Sequence, residues 1–160
     1  MHAVAAHFVA EARAFLRDQY LPKLERCLQL LDEDDVWWRA DATSNSVGNL
    51  LLHLDGSTRT WVLGVAGGRP VERDRDSEFA ERGPIPKAAL LDHLRATLAE
   101  ADAVLAGLDP AALLERRQSP WEEVTVLWAV LHAVEHFAMH TGQIILLTKL
   151  RRGEDLHLSA

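Results

Sequence analysis

Between Val124 and Leu147 the only formally charged side chain is Glu135, yet His132, His136 and His140 recur at every fourth position of this apolar run. The stretch is too long and too apolar for a loop. On an α-helix, four residues advance about 6 Å and overshoot a full turn by about 40°, so the three imidazoles form one slanted row. Trp128 precedes that row, and Gln143, Leu147 and Leu150 prolong it, which aims the histidines where core side chains point. A buried neutral imidazole carries a donor and an acceptor, and both need partners once water is gone. Two solutions are open at this point: core rings satisfied by backbone and water, or histidines at i and i+4 sharing a divalent ion.

The remainder of the chain reads as helices that pack around this one. Ala3 to Leu31 is rich in Ala, Leu and Arg, with Pro22 demanding a kink or a restart. Asp32 to Ser46 is a connector that holds Trp37-Trp38 and ends in Thr-Ser-Asn-Ser, a set of N-cap candidates for a helix reaching about Ala66. That second helix has an apolar stripe of Val47, Leu50, Leu51, Leu54, Trp61 and Val65, with His53 at its edge beside Asn49, Ser57, Thr60 and Gly64. Gly67 to Pro86 reads as a solvated loop with alternating charge, in which Phe79 could cover something. Leu91, Leu94, Leu98, Ala101, Leu105 and Leu108 mark a third, structural helix. A short helical turn follows Pro110. Ser119 and Glu122 have capping-box spacing around Pro120, so the last helix is expected to begin near residue 120 and to end at Arg151-Arg152-Gly153. No run reads as a strand. The expectation is an all-α four-helix bundle with one short extra helix, forming a single domain over residues 1–160. Because the last helix is apolar nearly all round, its face of Phe137, Thr141, Ile144, Ile145 and Thr148 is expected to be covered by a second copy in a homodimer.

A net charge of −7 without a clustered Lys/Arg surface argues against nucleic acid as a partner. The single Cys27 excludes an intramolecular disulfide and a thiolate-rich metal site, and a cytoplasmic location is expected. The N-terminus lacks a basic n-region, and nowhere do 18 consecutive apolar residues occur, so membrane insertion is not expected.

In a bundle, one inward histidine on the second helix can complete a pair from the fourth, and His53 is the only good candidate. Three imidazoles leave a further position of a divalent ion open, which is a catalytic rather than a structural pattern. A carboxylate-bridged di-iron bundle needs Glu-x-x-His on two helices, a requirement this chain does not meet. The serine-hydrolase and phosphate-loop motifs are missing.

Asn-Ser-Val-Gly-Asn-Leu-Leu-Leu-His-Leu at Asn45 to Leu54, the preceding Trp37-Trp38, the Gly-Pro-Ile-Pro-Lys entry to the third helix, and His132 to Ile144 together resemble the DinB/YfiT-like metal-dependent superfamily, specifically its uncharacterised bacterial branch. By position, the resemblance implies metal ligation by His53, His136 and His140, which leaves His132 outside the triad. Where that branch often has Asn after the helix-two His-Leu-x-Gly, this chain has Ser57. Relatives in the superfamily include transferases and isomerases that use bacillithiol, mycothiol or glutathione. The resemblance therefore implies a metal-dependent transferase or hydrolase-like enzyme that activates such a thiol for attack on a small electrophile. The alternative is a non-catalytic metal-binding stress or regulatory protein. Zinc or nickel suits an imidazole set. As helix neighbours of these histidines, Asn49, Ser57, Thr60, His132 and Gln143 are the candidate supporting or substrate-pocket residues, and no catalytic residue is singled out.

Overall fold

The computed structural model describes residues 2–158. Helix α1 (His2–Ala14) passes through a π-helical segment (Phe15–Tyr20) into α2 (Leu21–Leu30). Pro22 has no N–H and its ring crowds the preceding turn, so the chain widens just before it and restarts as expected. A short α3 (Glu33–Trp37) sits in the connector, a helix not anticipated from the sequence. Then α4 (Val47–Thr58) begins at Ser46, whose side chain accepts from Asn49 N–H while Asn49 answers the Ser46 backbone, and it continues as a second π-helical segment, Arg59–Ala66.

The stretch expected as loop contains α5 (Arg75–Ala80), started by the Asp74 side chain accepting from Ser77 N–H. Next come α6 (Lys87–Ala106) and a 3-10 turn (Pro110–Leu114). The expected start of the last helix near residue 120 is wrong, as is the absence of strands. Instead β1 (Arg116–Gln118) pairs antiparallel with β2 (Glu123–Thr125), in the register Arg116↔Thr125, Arg117↔Val124 and Gln118↔Glu123. Ser119 does cap backbone N–H groups, accepting from Trp121 and Glu122 at 3.3 and 3.1 Å, but within the hairpin turn. A Ser-Pro pair serves a tight turn as well as a helix start, and only the β-branched Val124 and Thr125 favour the former. Helix α7 (Val126–Arg152) begins at Thr125, which accepts from Trp128 N–H, and ends on Gly153 in the left-handed region at φ 66°.

Four long helical units thus form the bundle, with α4 most deeply placed. Its predicted stripe is buried, together with Val62, Leu63 and Ala66. On α6, Leu94, Leu98, Ala101 and Leu105 face the core, as the periodicity requires, and His93 is exposed. Burial of each such leucine contributes roughly 1.5–3 kcal/mol.

The second face of α7 is a correction. Phe137, Thr141, Ile144 and Thr148 are buried and Ile145 is half-buried against the core, with Tyr20 stacked on Phe137 at 5.9 Å between ring centres, so that face needs no second copy. The exposed apolar residues of α7 are instead Leu131, Met139, Leu146 and Leu150. No helix among the described residues is long and apolar enough to cross a membrane.

Candidate metal centre

His53 on α4 and His136 and His140 on α7 meet in the core. The Nε2 atom of His136 lies 3.0 Å from that of His53 and 3.1 Å from that of His140, and one ligand atom from each ring lies within 4.8 Å of the others. Outward, His53 Nδ1 sits 2.8 Å from Glu78 Oε2 and His140 Nδ1 sits 2.7 Å from Gln143 Oε1. A carboxylate and an amide oxygen only accept, so the shorter contact on each ring places its proton on Nδ1 and a bare Nε2 lone pair inward; Arg73 Nη2, 3.1 Å from the same His53 nitrogen, has its acceptor in Glu78 Oε2 at 2.8 Å.

The donor set therefore fits a cation. At most one proton, on His136 Nε2, is available for two short nitrogen–nitrogen contacts, and a neutral site would leave lone pairs facing each other. Tetrahedral ligation at about 2.0–2.1 Å sets nitrogens about 3.3 Å apart, close to the two short separations seen.

Glu78 is the residue that sequence reasoning missed. It comes from α5, in the stretch whose alternating charge reads as a solvated loop, and Arg73 from the same stretch holds it. Arg73 Nε donates to Glu78 Oε1 at 2.6 Å, and Arg73 Nη2 donates to Oε2 at 2.8 Å. Both side chains are about nine-tenths buried, at 12% and 10% exposed. Burial would raise the Glu78 carboxyl, but hydrogen bonds from Arg73 and His53 outweigh it and hold the group below its ordinary value, so it stays ionised. Space for this pair exists because α4 has glycine at position 56. A Cβ there would come within 2.7 Å of Arg73 Nε and 3.0 Å of Glu78 Cδ. The one signal in the sequence was chemical, since a metal-ligating histidine almost always needs an oxygen partner on its other nitrogen.

The remaining candidates fall in distinct places. Gln143 orients His140. Asn49 does not face the triad; its Nδ2 donates to the carbonyls of Glu78 and Glu81 at 2.8 and 3.0 Å, which fastens α5 over the site. Thr60 donates to Gly56 O and accepts from Arg73 Nη1 at 3.4 Å, and Ser57 is buried one turn beyond His53. His132 lies in an aromatic wall, stacked on Trp128 at 4.8 Å and edge-on to Trp61 at 4.8 Å, with its ring centre 5.4 Å from that of His136. Phe79 closes the other side, 4.5 Å from His53.

Burial, reinforced by the neighbouring His140 and His53 rings, pushes His136 down to about 3. Burial also lowers His140, against the opposing hydrogen bond to Gln143, and lowers His132. A group whose folded value is depressed contributes stability that is complete above its unfolded value, about 6.5 for histidine, and lost as pH falls toward the folded one. The chelator-treated protein is therefore expected to show urea midpoints that decline steadily from about pH 6.5 to about pH 4. A midpoint flat across that window would mean the rings are solvated.

A family model described as mycothiol-S-transferase matches residues 11–153. The chain belongs to that family. Among solved structures, it is similar to a DinB-like protein from Bacillus subtilis, with TM-score 0.69, 18% identity and coverage of 96% of each chain. A conserved protein from Enterococcus faecalis matches with TM-score 0.68 and 17% identity over 96% of this chain and 98% of that one. A DinB-like protein from Bacillus cereus gives TM-score 0.67 and 14% identity over 91% and 95%. At these identities the likeness is one of fold, and it bears out the DinB-like bundle. Curated proteins give no significant match.

Proposed function

We propose that the protein transfers the low-molecular-weight thiol mycothiol to a small electrophile, with a divalent ion held by His53, His136 and His140. The observation that carries this reading is the convergence of three Nε2 atoms, with the His53 and His140 rings held from behind by Glu78 and Gln143. Zinc or nickel bound there would supply positive charge that lowers the pKa of a thiol, raising the thiolate fraction from a few per cent near pH 7 by some tens-fold. The chain's own residues do the rest. Glu78, itself held by Arg73, fixes the His53 tautomer, Gln143 fixes that of His140, and Trp61, Trp128 and His132 line one flank with aromatic surface.

The test is consumption of mycothiol, bacillithiol or glutathione with 1-chloro-2,4-dinitrobenzene, using metal-loaded and chelated protein. Mycothiol is expected to react at least about tenfold faster with the loaded protein, in line with the thiolate gain. If no thiol reacts faster, the transferase reading gives way to a metal-binding protein without turnover.

A further inference from the structure

A cleft of about 410 Å³ opens beside the metal centre, lined by Arg69, Arg73, Arg75, Thr60, Gln118 and Trp121 among others. Three guanidinium groups line it and no Asp or Glu does, in a chain whose net charge is −7. The cleft is joined to the histidines on two sides. No triad histidine lines it; Arg73 Nη2 lies 3.1 Å from His53 Nδ1, on the side of the ring away from the converging Nε2 atoms, and Trp121 stacks at 5.5 Å on Trp61, the ring that abuts His132.

We infer that this cleft is the subsite for the electrophile and that it selects small molecules bearing a carboxylate on an apolar or aromatic body. The inference rests on the transferase reading for the identity of the second substrate. Arg73 is already neutralised by Glu78, so the free charge is at the rim. Arg75 has no ion-pair partner among the described residues and lies with its guanidinium 4.9 Å over Phe79. Among the described residues Arg69 has only the Glu100 pair at 3.2 Å, about half exposed on both sides, and such surface pairs contribute little and are readily displaced. Guanidinium forks match a carboxylate bidentately. Trp121, 61% exposed yet held flat against Trp61, offers the apolar body a rigid face. The sugar and inositol body of mycothiol carries no charge, so the anion these arginines await belongs to the electrophile.

The test uses the metal-loaded protein and its Arg69→Ala/Arg75→Ala variant, with mycothiol and either 4-(bromomethyl)benzoate or the neutral 4-(bromomethyl)benzamide. In each reaction a carbon–sulfur bond forms at the benzylic carbon, bromide leaves with the carbon–bromine electron pair, and the thiol proton passes to solvent. Intrinsic reactivity cancels in the comparison. The benzoate-to-benzamide ratio of kcat/KM is expected to fall about tenfold in the variant, the scale of one charge-assisted hydrogen bond near a surface. Independently of turnover, calorimetry should show unreactive benzoate binding the wild type more tightly than benzamide and losing about tenfold in the variant. Equal binding of benzoate and benzamide, or equal binding of benzoate by both proteins, would overturn the inference. Saturating benzoate that leaves transfer to the benzamide uninhibited would also overturn it. If neither bromide is consumed, the transferase reading fails, and calorimetry alone decides whether the cleft holds carboxylates.

Discussion

Alanine at His136 is expected to strip the protein of metal, lowering divalent ion measured by mass spectrometry from about one per chain to less than about a tenth. His136 is the middle member of the set, with its Nε2 3.0 and 3.1 Å from the other two, so its loss leaves two donors with no ring between them. His53→Ala and His140→Ala should act in the same direction. His132→Ala provides the internal comparison, because that ring stacks on Trp128 and meets Trp61 edge-on, and its loss should cost packing rather than metal. Full stoichiometry in all three triad variants would remove the site, and equal loss from His132→Ala would mean the row, not the triad, holds the ion.

The parts of the molecule legible in the sequence are those governed by local chemistry. Helical periodicity placed Leu94, Leu98 and Leu105 on one core face, and Thr-Ser-Asn-Ser marked where α4 starts, with Ser46 the member of that run that caps it. The spacing of four between His136 and His140 put both on the same face of α7. Local signals that serve two structures equally well do not decide between them. Ser119-Pro120 fits a helix start and a hairpin turn, and the choice went to the turn because β1 and β2 could pair.

The half of the site that stayed hidden depends on contacts distant in the chain. Glu78 is 25 residues from His53, and its neighbours Arg73 to Asp76 alternate in charge like any solvated loop. Nothing in the local pattern distinguishes an acid that faces water from one drawn inward by Arg73. Likewise, an all-round apolar α7 suggested a second copy only because the depth to which Tyr20 and its helix cover Phe137 is not written in α7 itself. The cleft was invisible for the same reason, since Arg69 to Arg75, Gln118 and Trp121 come together only once the hairpin is in place.

Removing the Glu78 carboxylate should have the largest effect on folding of any change near the site. In Glu78→Ala the guanidinium of Arg73, 12% exposed, keeps its charge but loses both of its close acceptors, and breaking a buried pair in this way costs about 3–5 kcal/mol. The same change frees His53 Nδ1 to exchange tautomers, which should weaken metal binding about 10–100-fold, the usual range for an outer partner of a ligating histidine. The two consequences are separable. An Arg73→Met/Glu78→Leu double variant removes both charges at once and fills their volume, so urea denaturation should show most of the lost stability restored. Metal affinity, measured by competition with a chromogenic chelator, should remain as low as in Glu78→Ala, because no oxygen then accepts from His53. Recovery of affinity together with stability would show that Glu78 acts only by packing α5 against α4. Affinity that stays low while the fold recovers would establish it as the residue that positions His53 for the ion.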